Sequence, residues 1–324
     1  VAAVGIIANP VSGKDIRRLV AHGSVFDNQE KVRMVRRALM GLSAVGVRQV
    51  AYMPDYYAIL ERAMRGCTAK IKLTAAPVPI QGHQGDSTRS ARWMAQNDVR
   101  CALVLGGDGT CRAVAKGAGE MPLLPLSTGT NNVFPGMIEA TVAGMAAGLT
   151  AMGKVAAQQG MFRSCRLDIL NHGQMIDQAL VDVAVYRDRF IASRAVWDIE
   201  KVSQIFLTRC RPESIGLSAI GGQLTTIEPH APSGLRLQLG NAGQKITAAI
   251  APGLIAEVGI ANHRSMAVGD AARIDDCPSV LALDGEREVT ITQNDQISVR
   301  LSDQGPWVID VAKTMAIARD GSVK

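Results

Sequence analysis

One run of eight residues, Leu103-Val104-Leu105-Gly106-Gly107-Asp108-Gly109-Thr110, constrains this chain more than any other stretch. Its three apolar residues read as a buried parallel strand that stops abruptly in three glycines set around one aspartate. Thr110 then opens a segment, Thr110 to Lys116, that reads as a helix. A strand, a glycine turn and a helix start bring free backbone N–H groups and a positive dipole end to one point, which is where phosphates bind. A carboxylate at that point repels a phosphate unless it holds a metal or takes a proton. The combination therefore points to phosphoryl transfer rather than to nucleotide binding alone.

The first half of the chain alternates strand and helix. Strand patterns at Val4 to Ala8, Gln49 to Met53, Ile71 to Leu73 and Cys101 to Leu105 are separated by helical patterns at Asn28 to Leu42, Tyr56 to Met64 and Ser87 to Gln96. Such alternation predicts a parallel, Rossmann-like sheet with helices on both faces. Its ligand belongs at the carboxyl ends of the strands, where both Asn9 and Asp108 fall. Val142, Met145, Leu149 and Met152 form a helical stripe expected to link two domains.

After about residue 155 short alternating strands take over. Examples are Arg166 to Leu170, Leu180 to Tyr186, Leu235 to Leu239 and Ile246 to Ile250. Val289 with Ile291, Ile297 with Val299 and Leu301, and Trp307 with Ile309 and Val311 continue the alternation. Arg187 to Leu207 is less regular, with a helix expected around Val196 to Leu207. The expected fold is thus an α/β N-terminal domain over residues 1–154 and an all-β, antiparallel second domain over residues 155–324. The C-terminal end of the second is a candidate to pack back on the first.

Composition narrows the function classes. The chain has 324 residues, enough for two domains with real cores, and carries a net charge of +6. A nucleic-acid binder would cluster its cations among aromatics, but the densest basic stretch, Lys31 to Arg37, belongs to an amphipathic helix with Val32, Val35, Leu39 and Leu42 on its apolar side. Its arginines read as the wet face, and a basic cleft drawing in a polyanionic nucleotide accounts for the rest. The six cysteines show neither CxxC pairing nor nearby histidines, which argues against zinc and disulfides and fits a reducing compartment. The first ten residues already read as strand and loop rather than as a signal peptide, and no apolar stretch reaches bilayer length. A cytoplasmic protein that binds neither nucleic acid nor membrane is expected. His22, His83, His172, His230 and His263 are isolated and suggest no metal site.

The glycine run resembles the GGDGT signature shared by NAD kinases, diacylglycerol kinases, sphingosine kinases and their relatives. Four further stretches resemble that superfamily in the expected order. Gly5 to Lys14 is similar to its first strand and NPxSG loop; Asp15 after Lys14 excludes a Walker A reading. Leu126 to Pro135 resembles the second nucleotide-side loop, Pro212 to Gly222 is a worn version of an NAD kinase segment, and Leu281 to Glu286 matches the late Asp-Gly-Glu element. Within the superfamily, Ser127 to Gly136 and the helix after it look most like the ATP-NAD-kinase-like acetoin catabolism protein X group, which implies a bacterial cytoplasmic protein encoded with acetoin-degrading enzymes.

The resemblance implies an NAD-kinase-like fold and an ATP-dependent kinase using Mg²⁺, held mostly by phosphate oxygens and waters. It implies Asp108 as general base, with Asp284 or Glu286 as a second carboxylate across the cleft. The bare reading of Asp284-Gly285 is a hairpin turn. Asn9, Ser12, Gly106, Gly107, Gly109, Thr110, Thr128, Gly129, Thr130 and Asn131 are the implied nucleotide-binding residues. Asn132, Asp182, Ser214 and Gly216 are the implied substrate-binding ones, and His263-Arg264 lies in a stretch distantly like a substrate-adjacent loop. A homodimer or tetramer through the second domain is expected. Two departures bear on the acceptor. Val181 stands where NAD kinases carry an asparagine, and Ser214-Ile215-Gly216 replaces a hydroxyl-rich core, so the polar groups that would recognise NAD are lost. Three readings remain open: a kinase of NAD or of a smaller hydroxyl compound, a nucleotide-binding regulator without turnover, and a lipid kinase.

Overall fold

Strand and helix patterns in the first half become one parallel sheet. A computed structural model of the chain describes residues 3–12, 22–24, 26–187 and 199–321. Strands β1 (Ala3–Ala8), β2 (Gln49–Tyr52), β3 (Lys72–Ala75), β4 (Val99–Gly106) and β5 (Leu123–Ser127) lie in the order β3-β2-β1-β4-β5. All four pairings are parallel. From β1 the chain lays strands first to one side and then to the other, so the order reverses between β1 and β4. Helices α1 (Asn28–Ala44), α2 (Ile59–Met64), α3 (Gly85–Gln96), α4 (Asp108–Ala118) and α5 (Ala140–Ala151) cover both faces. Ile6, Leu103 and Leu105 enter the cluster on one face, while Ile7 and Val104 enter the other. Burial on both faces explains why these strands are continuous apolar runs.

Helix α1 starts where the sequence predicts, because the Asp27 side chain accepts the Glu30 N–H at 2.7 Å as an N-cap. Its buried face is Val32, Val35, Leu39 and Leu42, as expected, but Lys31 is buried with them. Helix α2 starts later than the sequence suggests. Tyr56 and Tyr57 stay in the preceding turn, and Ala58, at φ 51°, is the N-cap. Helix α5 corrects the expectation of an interdomain linker: it packs on α1 within the first core. Val142 and Met152 of the predicted stripe are exposed, Leu149 of it is buried, and the rest of the buried face is Ala140, Ala143, Gly144, Ala146, Ala147, Gly148 and Ala151. Small residues win because the two helices nearly touch; a Cβ at Gly144 would sit 2.2 Å from the Ala38 carbonyl oxygen.

A short helix, α6 (Ala157–Gly160), and strand β6 (Met161–Arg163) lead into antiparallel structure. There follow β7 (Arg166–Asn171), β8 (Gln174–Ala179), β9 (Asp182–Tyr186), β10 (Val202–Leu207), helix α7 (Leu217–Gly222), β11 (Ser233–Ala251), β12 (Leu254–Ala267), β13 (Ala271–Arg273), β14 (Ser279–Leu283), β15 (Glu286–Ile291) and β16 (Ile297–Ser302). They form a six-stranded sheet, β12-β11-β10-β9-β14-β15, and a four-stranded one, β13-β16-β7-β8. Alternation assigns the faces: Val183 and Val185 of β9 join the core shared with β7 and β16, while Ala184 and Tyr186 join the core covered by α7.

Three expectations change here. Of the helix expected over Val196 to Leu207, residues 196–198 lie outside the described residues. The rest is a single 3₁₀ turn at Ile199–Lys201 and strand β10. β10 lies between β9 and β11 with both faces covered, so its apolar run lacks the period of two that marks a half-exposed strand. Leu235–Leu239 and Ile246–Ile250 are two parts of one long strand, β11, broken in register between Leu239 and Gln244. Finally, Trp307 to Val311 does not extend the antiparallel sheets. β17 (Trp307–Ile309) enters the first sheet between β5 and β6, and Val311 opens helix α8 (Val311–Gly321). Val308 pairs in parallel with Leu123, a partner that alternation alone does not name.

Candidate functional site

The order reversal puts a crevice at the carboxyl ends of β1 and β4, where open α/β sheets bind ligands. Asn9 spans it. Its backbone N–H donates to the Leu105 carbonyl at 3.1 Å, and its Nδ2 donates to Thr110 Oγ1 at 2.9 Å. Asn9 Oδ1 accepts the Val11 N–H at 2.9 Å, closing the first loop, and Ser12 Oγ donates to the Asn9 carbonyl at 2.9 Å. Ser12 Oγ also lies 3.2 Å from Thr128 Oγ1, which ties this loop to the one after β5. Gly13 and Lys14 of the same motif lie outside the described residues. Beneath the loop, the buried Lys31 ammonium donates to the carbonyls of Asn9 (2.9 Å) and Ser12 (2.8 Å).

Helix α4 begins directly at Asp108 with Gly107 as its cap, so no side chain caps its first turn. Both flanking glycines leave room for polar side-chain ends from neighbouring elements. A Cβ at Gly107 would lie 2.6 Å from Asn132 Oδ1, and one at Gly109 would lie 3.1 Å from Glu286 Oε1. The loop after β5 is bound on from the other side. Thr128 N–H donates to the Gly106 carbonyl at 3.2 Å, Ser127 Oγ donates to the Gly129 carbonyl at 2.6 Å, and Asn132 Nδ2 donates to Ser127 Oγ at 2.8 Å. Thr130 exchanges bonds with Ser24: its N–H reaches the Ser24 carbonyl at 3.1 Å, and its Oγ1 accepts the Ser24 N–H at 3.0 Å. Asn131 lies against Gly23. The Asp108 carboxylate accepts the backbone N–H groups of Val133 (3.0 Å) and Phe134 (2.7 Å). All three nucleotide-side loops named from sequence therefore meet.

The late Asp-Gly-Glu element comes to the same place from the antiparallel region. Asp284 (φ 51°) and Gly285 (φ 79°) turn β14 into β15, a pair of positive φ values that a two-residue type I′ hairpin requires. Asp284 is thus the hairpin residue that its sequence suggests and also a buried anion. Its Oδ1 accepts the N–H groups of Leu180 (3.0 Å) and Val181 (2.8 Å). Arg112 of α4, 1% exposed, lies 3.6 Å from Asp284 Oδ2, 3.8 Å from Glu286 Oε2 and 4.0 Å from Asp177 Oδ1. Burial raises the Asp284 pKa above the ordinary carboxylate value, against the pull of Arg112 and the amides. Glu286 stands over Gly109 with its side chain 35% exposed.

A second buried cation, Arg209, follows β10. It packs 4.4 Å over the Phe134 ring and donates to Ser164 Oγ at 2.5 Å. Burial pulls its pKa down to about 10, while the charges of Asp108 and Asp284 oppose that shift. Lys31, Arg112 and Arg209 are site components that sequence reading missed; none belongs to a motif.

The expected substrate residues are more scattered. Asp182 is buried beside this cluster, and its carbonyl accepts the Asp284 N–H at 2.9 Å. Val181 is wholly buried. Ser214 and Gly216 sit in the turn before α7, bonded to Arg211 and to the Ala249 carbonyl. His263 and Arg264 lie along edge strand β12, opposite Leu237 and Arg236. Among the described residues no group of three or more His, Cys, Asp or Glu is arranged to hold a metal, and no helix is long and apolar enough to cross a membrane.

The fold joins an α/β half of the ATP-NAD kinase type to an antiparallel half. Residues 4–154 match the ATP-NAD kinase N-terminal domain, and residues 165–304 match the acetoin catabolism protein X C-terminal domain. The chain is 36% identical over 326 residues to "Acetoin catabolism protein X" of Cupriavidus necator, an alignment covering 96% of this chain and 91% of that protein. It belongs to the acetoin catabolism protein X family. Two solved structures from Bacillus anthracis are also similar. A diacylglycerol kinase gives a TM-score of 0.49 at 12% identity, and a putative diacylglycerol kinase gives 0.43 at 10%; each covers 95% of this chain and 97% of its own.

Proposed function

We propose that this chain is an ATP-dependent phosphotransferase that moves the γ-phosphoryl group of Mg·ATP to the hydroxyl of a small acceptor. The observation that carries this reading is the meeting of Asn9, the Gly106–Thr110 turn and the Ser127–Asn132 loop at the switch point, with Glu286 standing over Gly109. The uncapped first turn of α4 offers backbone N–H groups to the phosphates. The Mg²⁺ arrives with the nucleotide, coordinated by phosphate oxygens and waters.

In this reading the three carboxylates have separate roles. Asp108 is bonded to two amides, so it fixes the Val133–Phe134 loop against the turn. Glu286 is the more open carboxylate, and it accepts the proton of the attacking hydroxyl. The acceptor oxygen bonds to the γ-phosphorus, the bond from that phosphorus to the β–γ bridging oxygen breaks, and ADP leaves. Asp284 touches no substrate in this scheme; with Arg112 it positions the turn that presents Glu286. Val181 offers NAD no polar side chain, which favours a smaller acceptor. The relative named for acetoin catabolism supports a compound of the acetoin or diol type. Gly107→Val tests the site: calorimetry should show Mg·ATP binding to wild type and none to the folded variant, whose side chain would run into Asn132. Equal affinities would end this reading.

A further inference from the structure

Strand β12 closes one side of the six-stranded sheet, and among the described residues no strand pairs with its outer edge. It runs for 14 residues, Leu254–Ala267, against about five or six in an ordinary strand. Exposed edges are commonly blunted by proline, lysine or a short strand, because their free N–H and C=O groups recruit other chains. β12 contains neither proline nor lysine. Ala261 to Ser265 are all exposed, whichever face of the sheet they take. The far end of the strand is held in place: the Pro252 carbonyl, in the turn from β11 to β12, accepts the His22 N–H at 3.0 Å. An edge that is already ordered loses little freedom on pairing.

One bulge decides which side chains of β12 share a face. Asn262 lies opposite Gln238 and Ile260 opposite Leu239, so Ala261 is an extra residue in this strand. Before it, Val258 and Ile260 join the core covered by α7, which turns Ile255 and Glu257 to the other face. Past it, Arg264 lies opposite Arg236, whose guanidinium sits 5.6 Å from the Phe206 ring on that other face. Met266 belongs to the same core as Phe206. Glu257 and Arg264 therefore carry opposite charges on one face of one edge. Glu257 Oε1 accepts Lys245 Nζ at 2.6 Å with both side chains well exposed, and Arg264 has no ion-pair partner among the described residues.

We propose that β12 pairs antiparallel with β12 of a second copy of this chain, across a two-fold axis that passes between Ile260 and Ala261. Three features select this register. It matches the strand end to end, with Leu254 opposite the partner's Ala267. It sets Glu257 opposite the partner's Arg264, and the two-fold makes that pair twice. It also lays Ile255, 70% exposed, beside the partner's Met266 on the same face. The two bulges meet at the axis, so both strands carry the same extra residue and the alternation of faces is kept. Centring the axis on Glu257 instead would oppose two like charges.

The test is sedimentation equilibrium of wild type, Glu257→Arg, Arg264→Glu and an equimolar mixture of the two variants. Wild type should be a dimer that dissociates on dilution. Each variant alone opposes like charges at both symmetric pairs, so its dissociation constant should rise about 10-fold or more. The mixture should regain the wild-type affinity, because each like-charged edge then meets its opposite. Native mass spectrometry should show the regained species as the heterodimer, and its recovery shows that both variants are folded. A wild type that stays monomeric, variants that dimerise as tightly as wild type, or a mixture no tighter than its components would each overturn the pairing.

Discussion

Residues that carry the motif chemistry are legible in the sequence; the cations that organise them are not. Asp108, Asp284 and Glu286 each sit beside glycines that mark them: Gly285 takes φ 79° in the hairpin, and a Cβ at Gly106 would fall 2.5 Å from Thr110 Cβ. Arg112 looks like one more charged residue of an amphipathic helix, and its burial follows only once β8, β14 and β15 bring Asp177, Asp284 and Glu286 against α4. Lys31 is hidden the same way, in a basic stretch whose Arg33 is exposed. Removing one partner of a buried ion pair leaves the other charge stranded, typically at a loss of about 3–5 kcal/mol. Arg112→Met should therefore lower stability by about that amount in urea denaturation, despite keeping the apolar stem. A loss below about 1 kcal/mol would mean that the network is solvated or dispensable.

At the scale of elements, periodicity finds the strands and helices of the first half and mislabels those whose surroundings are unusual. β10 has neighbours on both sides and both faces, which erases its alternation. The sequence signal of α5 follows large residues and so finds only Leu149 of its buried face, while the close contact with α1 is made by small ones. That contact makes a sharp prediction. A Cβ at Gly144 would fall 2.2 Å from a backbone oxygen of α1, which a rotamer change does not relieve. Gly144→Ala, favourable in an isolated helix, should instead destabilise the protein by about 1–3 kcal/mol through overpacking. Chemical denaturation reads the sign, and an Ala variant as stable as wild type would show that the helices have slack.

For the whole molecule, the two-part architecture was legible from the change of period near residue 155, but the return of the chain to the first sheet as β17 was not resolved by pattern. Three strictly alternating residues fit an edge strand of either sheet. The same burial that builds the cores also sets an alkaline limit. Burial pushes the Cys101 thiol up to about 12 and that of Cys210 up to about 11, from an ordinary 9.0. Burial and a bond to Glu61 push the Tyr52 hydroxyl up to about 12, from 10.0. Each raised value means that the folded chain keeps a proton that the unfolded chain has released, so stability is full below pH 9.0 and falls as pH rises through the window to about 12. Urea midpoints measured under reducing conditions should decline across that range, and less steeply for Cys101→Ala than for wild type. Parallel declines would assign the limb to other groups.

In the function proposed above, the converging loops move a phosphoryl group to a hydroxyl. Its most direct test is transfer of label from γ-labelled ATP, with Mg²⁺, to acetoin, butane-2,3-diol or NAD, measured for wild type and Glu286→Gln alongside Mg·ATP affinity. Wild type should form a labelled phosphate ester. The variant should bind Mg·ATP as before and turn over at least about 10²-fold more slowly, as expected for loss of a general base. No labelled ester from wild type with any of these acceptors would contradict phosphoryl transfer, and equal rates in the two proteins would contradict Glu286 as its base.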